Sequence, residues 1–140
     1  MISHVLVHGG RGLPGSARDS RWMSHTLGQH ARAIRIEMPG FGGTTLATGP
    51  SPSVESRGRF VVDCIDALAL HQPILVGHSM GGVVATMAAI LAPKRIAGLA
   101  LLSSPGLRVH RGLRQFPRRR MSALLRVPGV PFALRKRRRR

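Results

Sequence analysis

The chain of 140 residues contains no tyrosine, one cysteine, one tryptophan and only five acidic residues. A single cysteine, Cys64, excludes an internal disulfide and a cysteine-based metal cluster. No apolar stretch reaches the ~18 residues that a membrane span requires, so no transmembrane segment is expected. The start, "MISHVLVHGG", has no basic region, long apolar core or cleavage-like site and does not read as a signal peptide. A cytoplasmic location is the default expectation. Acidic residues are unevenly missing: none follows Asp66, so 74 consecutive residues lack a carboxylate side chain.

That imbalance locates the net charge of +17. Residues 1–104 hold nine Lys/Arg and all five acids, whereas residues 105–140 hold thirteen Lys/Arg and none. The basicity belongs to one terminal segment and is not the character of the whole chain. Hydrophobic residues make up 43% of the chain, enough for one domain with a modest core.

Short apolar runs at residues 3–8, 33–38, 73–78 and 96–104 read as strands. Between them, helices are expected over about 20–31, with Ser20 as N-cap and Trp22 and Leu27 facing inward, over about 54–70, and over 79–92. The second helix has Ser53 as its cap and Val61, Cys64, Ile65 and Leu68 at helical spacing. Arg57, Arg59, Asp63 and Asp66 fall on its other faces, where Asp63 and Asp66 read as a solvated face. The β-α-β-α-β-α-β order with short connections predicts an α/β fold, a parallel sheet of about four strands flanked by helices. A core over 1–106 is followed by a basic segment over 107–140, expected as a poorly ordered tail or a remnant of a lid.

Chemistry concentrates at "ILVGHSMGG", residues 74–82. Gly77-His78-Ser79-Met80-Gly81 falls between a strand and a helix, the Gly-x-Ser-x-Gly pattern of a nucleophile elbow. Such a turn lifts the serine oxygen above the sheet edge and leaves the following amide, that of Met80, at a helix N-terminus. The plain alternative is a glycine-rich turn in which Ser79 merely caps the helix.

Together, "VLVHGG" at 5–10, "IEMPGFGGT" at 36–44, "ILVGHSMGG" at 74–82 and "IAGLALLSSPG" at 96–106 resemble the α/β-hydrolase family in its serine-nucleophile branch. The resemblance implies Ser79 as nucleophile, with the amides of Gly10 and Met80 as oxyanion-hole donors. His8, Gly9 and His78 would line the site. It also implies acyl transfer to water on a small-molecule acyl substrate, ester or thioester in type, with no cofactor and no metal. Glu37 stands where relatives often carry Asp and is expected to be structural. The family places an acid and then a histidine after the serine, but here no acid follows Ser79 and His110 is the only later histidine. The resemblance therefore implies a partial α/β-hydrolase fold, truncated at both ends, with weak or no activity alone. A different reading is a non-catalytic basic protein that binds nucleic acid or anionic membrane through "RKRRRR". A functionless tail is equally compatible with that sequence.

Overall fold

The computed structural model describes residues 2–10, 15–45 and 52–105. The elements are β1 (Ser3–Val7), α1 (Arg21–Gly28), β2 (Arg32–Ile36), α2 (Val54–Ala67), β3 (Ile74–His78), α3 (Met80–Leu91) and β4 (Gly98–Leu102). Short 3-10 turns precede α1 and β4, at Ala17–Ser20 and Pro93–Arg95. The four strands form one parallel sheet in the order β2-β1-β3-β4. In register, Val5 pairs with Ile34 and Leu75, and Leu75 pairs with Leu99. Among the described residues β2 and β4 are the edges, so the strand expected over 96–104 is an edge strand shortened to Gly98–Leu102.

Alternation along the strands divides the apolar side chains between two faces. Val5, Val7, Ile36 and Leu75 bury into one cluster with Val61 and Ile65 of α2 and Val84, Ala85 and Ala88 of α3. Leu6 and Val76 point to the opposite face, where α1 packs against β2. The helix expected at residues 54–70 forms over Val54–Ala67, and Ser53 caps it by accepting a hydrogen bond from the Ser56 amide at 3.1 Å.

Two local expectations are corrected. Ser20 makes no side-chain cap; Ser16 caps the preceding 3-10 turn instead, in a capping box with Asp19. The box is legible as "SARD", Ser followed three residues later by an acid. Trp22 does not face inward and is 71% exposed, because α1 covers only the β2 side of its sheet face and leaves the indole over solvent beside Arg21. Arg57 reaches from α2 to the loop that follows β2. It is buried, its guanidinium lies 5.2 Å from the centre of the Phe41 ring and it donates to the Pro39 carbonyl at 3.3 Å. Its long aliphatic stem lets the charged head reach a loop that sequence spacing along the helix does not reveal.

Ile65 and Trp22 give opposite expectations for truncation. Ile65→Ala, at a fully buried position, lowers unfolding free energy by ~2–5 kcal/mol. Trp22→Ala changes it by less than about 0.5 kcal/mol. Urea unfolding midpoints of the two variants check this ordering.

Candidate active site

Strand β3 runs directly into α3 through Ser79, and the turn is held from three sides. The Ser79 amide donates to the Leu102 carbonyl at the end of β4 at 2.9 Å, and the Gly82 amide donates to the Ser79 carbonyl at 3.0 Å. Ser79 itself adopts φ 54° and ψ −123°, a left-handed conformation that L residues disfavour by ~1–3 kcal/mol. The chain passes so close beneath this turn that only glycine fits on either side. A Cβ on Gly77 would lie 2.7 Å from the Gly81 carbonyl oxygen. One on Gly81 would collide with the Val7 and His8 carbonyl oxygens at the end of β1.

The Ser79 side chain accepts no hydrogen bond from the first turn of α3. The capping alternative therefore loses its defining contact. Ser79 and Met80 are half-buried, and His78 is exposed.

Across from the turn lies the loop that leaves β1. A Cβ placed on Gly9 would lie 3.4 Å from Ser79 Cβ and 3.2 Å from His78 Nδ1, and one on Gly10 would lie 3.0 Å from Met80 Cβ. The Gly9-Gly10 segment thus faces the Ser79-Met80 segment at van der Waals distance. The structure brings together Ser79, Met80, Gly9, Gly10 and His78 from two sequence regions about seventy residues apart. His8 lies behind them, 2% exposed, with Nδ1 2.8 Å from the Gly9 carbonyl oxygen. His110 and the basic segment over 107–140 lie outside the described residues.

Glu37 has structural partners. Its carboxylate accepts from the Ala17 amide at 2.9 Å and from Ser16 Oγ at 3.2 Å, and one oxygen lies 3.2 Å from His8 Nε2. Sequence reasoning separated "HGG" from "IEMPGFGG"; in the fold Glu37 stitches the two loops together. The same stitch brings in Ser16, which no sequence pattern tied to the site.

A cavity of about 480 Å³ opens beside the turn, lined by Leu6, Val76, Leu102 and His78 from the sheet and by Trp22 and Met23 from α1. Ser79 is not among its lining residues. Cys64 lies away on α2; burial, and secondarily the charge of Asp63, push its thiol pKa up and disfavour the reactive thiolate. Among the described residues, no group of three His, Cys, Asp or Glu side chains gathers as a metal site. No helix among them is long and apolar enough to cross a membrane.

A sequence profile described as alpha/beta hydrolase fold matches residues 5–127. The chain belongs to the α/β-hydrolase family. It is similar to 2-hydroxy-6-oxo-2,4-heptadienoate hydrolase of Pseudomonas putida, 36% identical over 104 residues that make up 73% of this chain and 37% of that protein. It is also similar to the dihydrolipoyllysine-residue acetyltransferase component of the acetoin cleaving system of Pseudomonas putida, 34% identical over 103 residues, 74% of this chain and 27% of that protein. Among solved structures, a serine hydrolase involved in carbazole degradation aligns with TM-score 0.70 and 29% identity over 78% of this chain and 42% of that one. The chain thus spans 27% to 37% of the length of these two curated relatives. Its four-stranded parallel sheet with flanking helices is part of the α/β-hydrolase fold.

The strain at Ser79 generates a test. Glycine tolerates positive φ, and alanine does not. Ser79→Gly should therefore be more stable than Ser79→Ala by ~1 kcal/mol, the reverse of the usual order of these two residues. Denaturant midpoints of the two variants measure the difference.

Proposed function

We propose that the chain carries the nucleophile half of a serine hydrolase site, with Ser79 as nucleophile and the amides of Gly10 and Met80 as oxyanion donors. The observation that supports this most is the conformation of Ser79. A strained serine that does not cap its helix, held opposite a glycine pair, is poorly explained by fold stability alone. The hydrolase names of several relatives point the same way.

In this reading Ser79 Oγ attacks a substrate carbonyl carbon and the carbonyl oxygen takes up the charge. The amides of Gly10 and Met80 stabilise that oxygen in the tetrahedral intermediate. Its collapse expels the leaving group and leaves an acyl group on Ser79, which water then hydrolyses. The substrate class is a small molecule with an ester-type or thioester-type carbonyl, and no metal or organic cofactor is needed for these steps.

A general base and its acid are the groups not assigned within these 140 residues. Without them the Ser79 proton passes to solvent and attack is slow. Donors and binding alone leave ~10³–10⁴-fold acceleration over water in proteases stripped of their triad. His110 has no role in this reading.

A fluorophosphonate probe tests it. The Oγ–P bond forms, the P–F bond breaks, fluoride leaves and the serine proton goes to solvent. Labelling is expected to be slow, lost in Ser79→Ala and unchanged in His110→Ala. Rapid ester turnover that disappears in His110→Ala would overturn the assignment.

The charge of residues 105–140 supports a second, separate reading: attraction to nucleic acid or anionic membrane in the cytoplasm. A polyanion competitor checks it. Binding to DNA should weaken steeply between 50 and 200 mM salt, by ~10³-fold or more if six or more phosphates are engaged, and should vanish when residues 107–140 are removed.

A further inference from the structure

Trp22 is the only tryptophan of the chain, yet it sits 71% exposed at a position where truncation costs the fold little. A large amphipathic ring suits a place where apolar contact and water meet. Beside it lies the cavity of about 480 Å³, within the ~300–1,000 Å³ of pockets that hold small molecules.

The floor and the rim of this cavity differ in chemistry. The floor belongs to the sheet face turned away from α2 and α3. Leu6 pairs with Val76 in register, and His78 with Leu102, so three adjacent strands present one largely apolar surface. Leu6 and Val76 are buried there, and Leu102 is 36% exposed. Met23 adds a flexible thioether from α1 that can follow the shape of a ligand.

The rim comes from the 3-10 turn and the start of α1, where Arg18 and Arg21 are both exposed and both line the cavity. The Arg21 guanidinium lies 5.0 Å from the centre of the Trp22 ring. One carboxylate, that of Asp19, also lines the cavity, but it serves the capping box and accepts from the Ser16 amide at 3.2 Å. Two cations against one engaged carboxylate favour an anion at this rim. A planar guanidinium matches a carboxylate in particular, through two parallel hydrogen bonds.

We propose that this cavity binds a small amphipathic carboxylate, with its apolar body on Leu6, Val76 and Leu102 and its head group at Arg18 and Arg21. The site is separate from Ser79, which does not line the cavity, and the ligand is bound there rather than cleaved. It does not depend on the chemistry proposed for Ser79. A mere packing gap would take neutral and anionic molecules alike; a built site prefers the anion and loses that preference with its arginines.

The test uses the full chain and octanoate, in two arms. With no tyrosine and one tryptophan, the protein's emission reports Trp22 alone. Octanoate should shift that emission to shorter wavelength in a saturable curve with a Kd of ~1 mM or tighter. Octanol and octylammonium should bind about fivefold more weakly or worse. Arg18→Ala should weaken octanoate ~2- to 5-fold and leave octanol unchanged. In the Arg18→Ala/Arg21→Ala double variant octanoate should fall to the level of octanol, whereas Leu102→Gln should weaken both, with melting midpoints showing that each variant is folded. No saturable shift, equal affinity for octanol and octanoate, or octanoate affinity unchanged in the double variant overturns the proposal. In the second arm, nitrogen-15 NMR locates the ligand without any reaction. The amide resonances of Leu6, Met23 and Val76 should move with octanoate and that of Gly10 should stay. Movement centred on Gly10 and Met80 would place octanoate against Ser79 and overturn the separate site. Failure of Ser79 to react with a serine probe removes the nucleophile and leaves both arms standing.

Discussion

Everything at the candidate site depends on how closely the start of α3 approaches the end of β1. With no side chain on Gly81, α3 can begin directly against the Val7 and His8 carbonyls, and with none on Gly77 the strand can turn into the helix without displacing it. This contact fixes the height of Ser79 above the sheet. It also forces the backbone of Ser79 into its left-handed conformation, because the chain must reverse within one residue. The hydrogen bond from the Ser79 amide to Leu102 ties the same residue to β4. The strain is held by the sheet on both sides rather than by the local sequence.

Two loops then close on that point, and they do so through polar groups. The Gly9-Gly10 segment lies against Ser79 and Met80, His8 lies behind it, and Glu37 bridges from the end of β2 to Ser16 and Ala17. Arg57 reaches from α2 to Phe41 and Pro39 in the second of these loops. Buried polar groups that find all their partners add specificity to a packed core. Here they fix the arrangement of loops at the C-terminal edge of the sheet, while the apolar cluster around Leu75, Val61 and Ile65 holds the sheet to its helices.

The strands and the turn at Ser79 were legible because both depend on neighbours in sequence. "VLV", "ILV" and "GLALL" are short apolar runs ended by His8, Gly77 and Ser103, and the turn needs Gly77, Ser79 and Gly81 at fixed spacing. What was not legible depends on distant neighbours. Trp22 looks like a core residue in an amphipathic helix, yet its helix covers only one side of a sheet face. The burial of Arg57 has no sequence signal, because Phe41 and Pro39 meet it only in the fold. Glu37 could be read as structural, but its partners at Ser16 and Ala17 are about twenty residues away and signalled by no spacing. The division at residue 106 rests on charge and pattern, and the segment that follows lies outside the described residues.

The central claim is that Ser79 and the Gly10 and Met80 amides form one preorganised oxyanion-binding site. A crystal structure of the full chain after reaction with a phosphonate probe addresses it directly. The account predicts phosphorus bonded to Ser79 Oγ, with one phosphonyl oxygen ~2.7–3.1 Å from both the Gly10 and the Met80 nitrogens. An adduct on another residue, or one on Ser79 whose oxygens face solvent with both amides turned away, would contradict it.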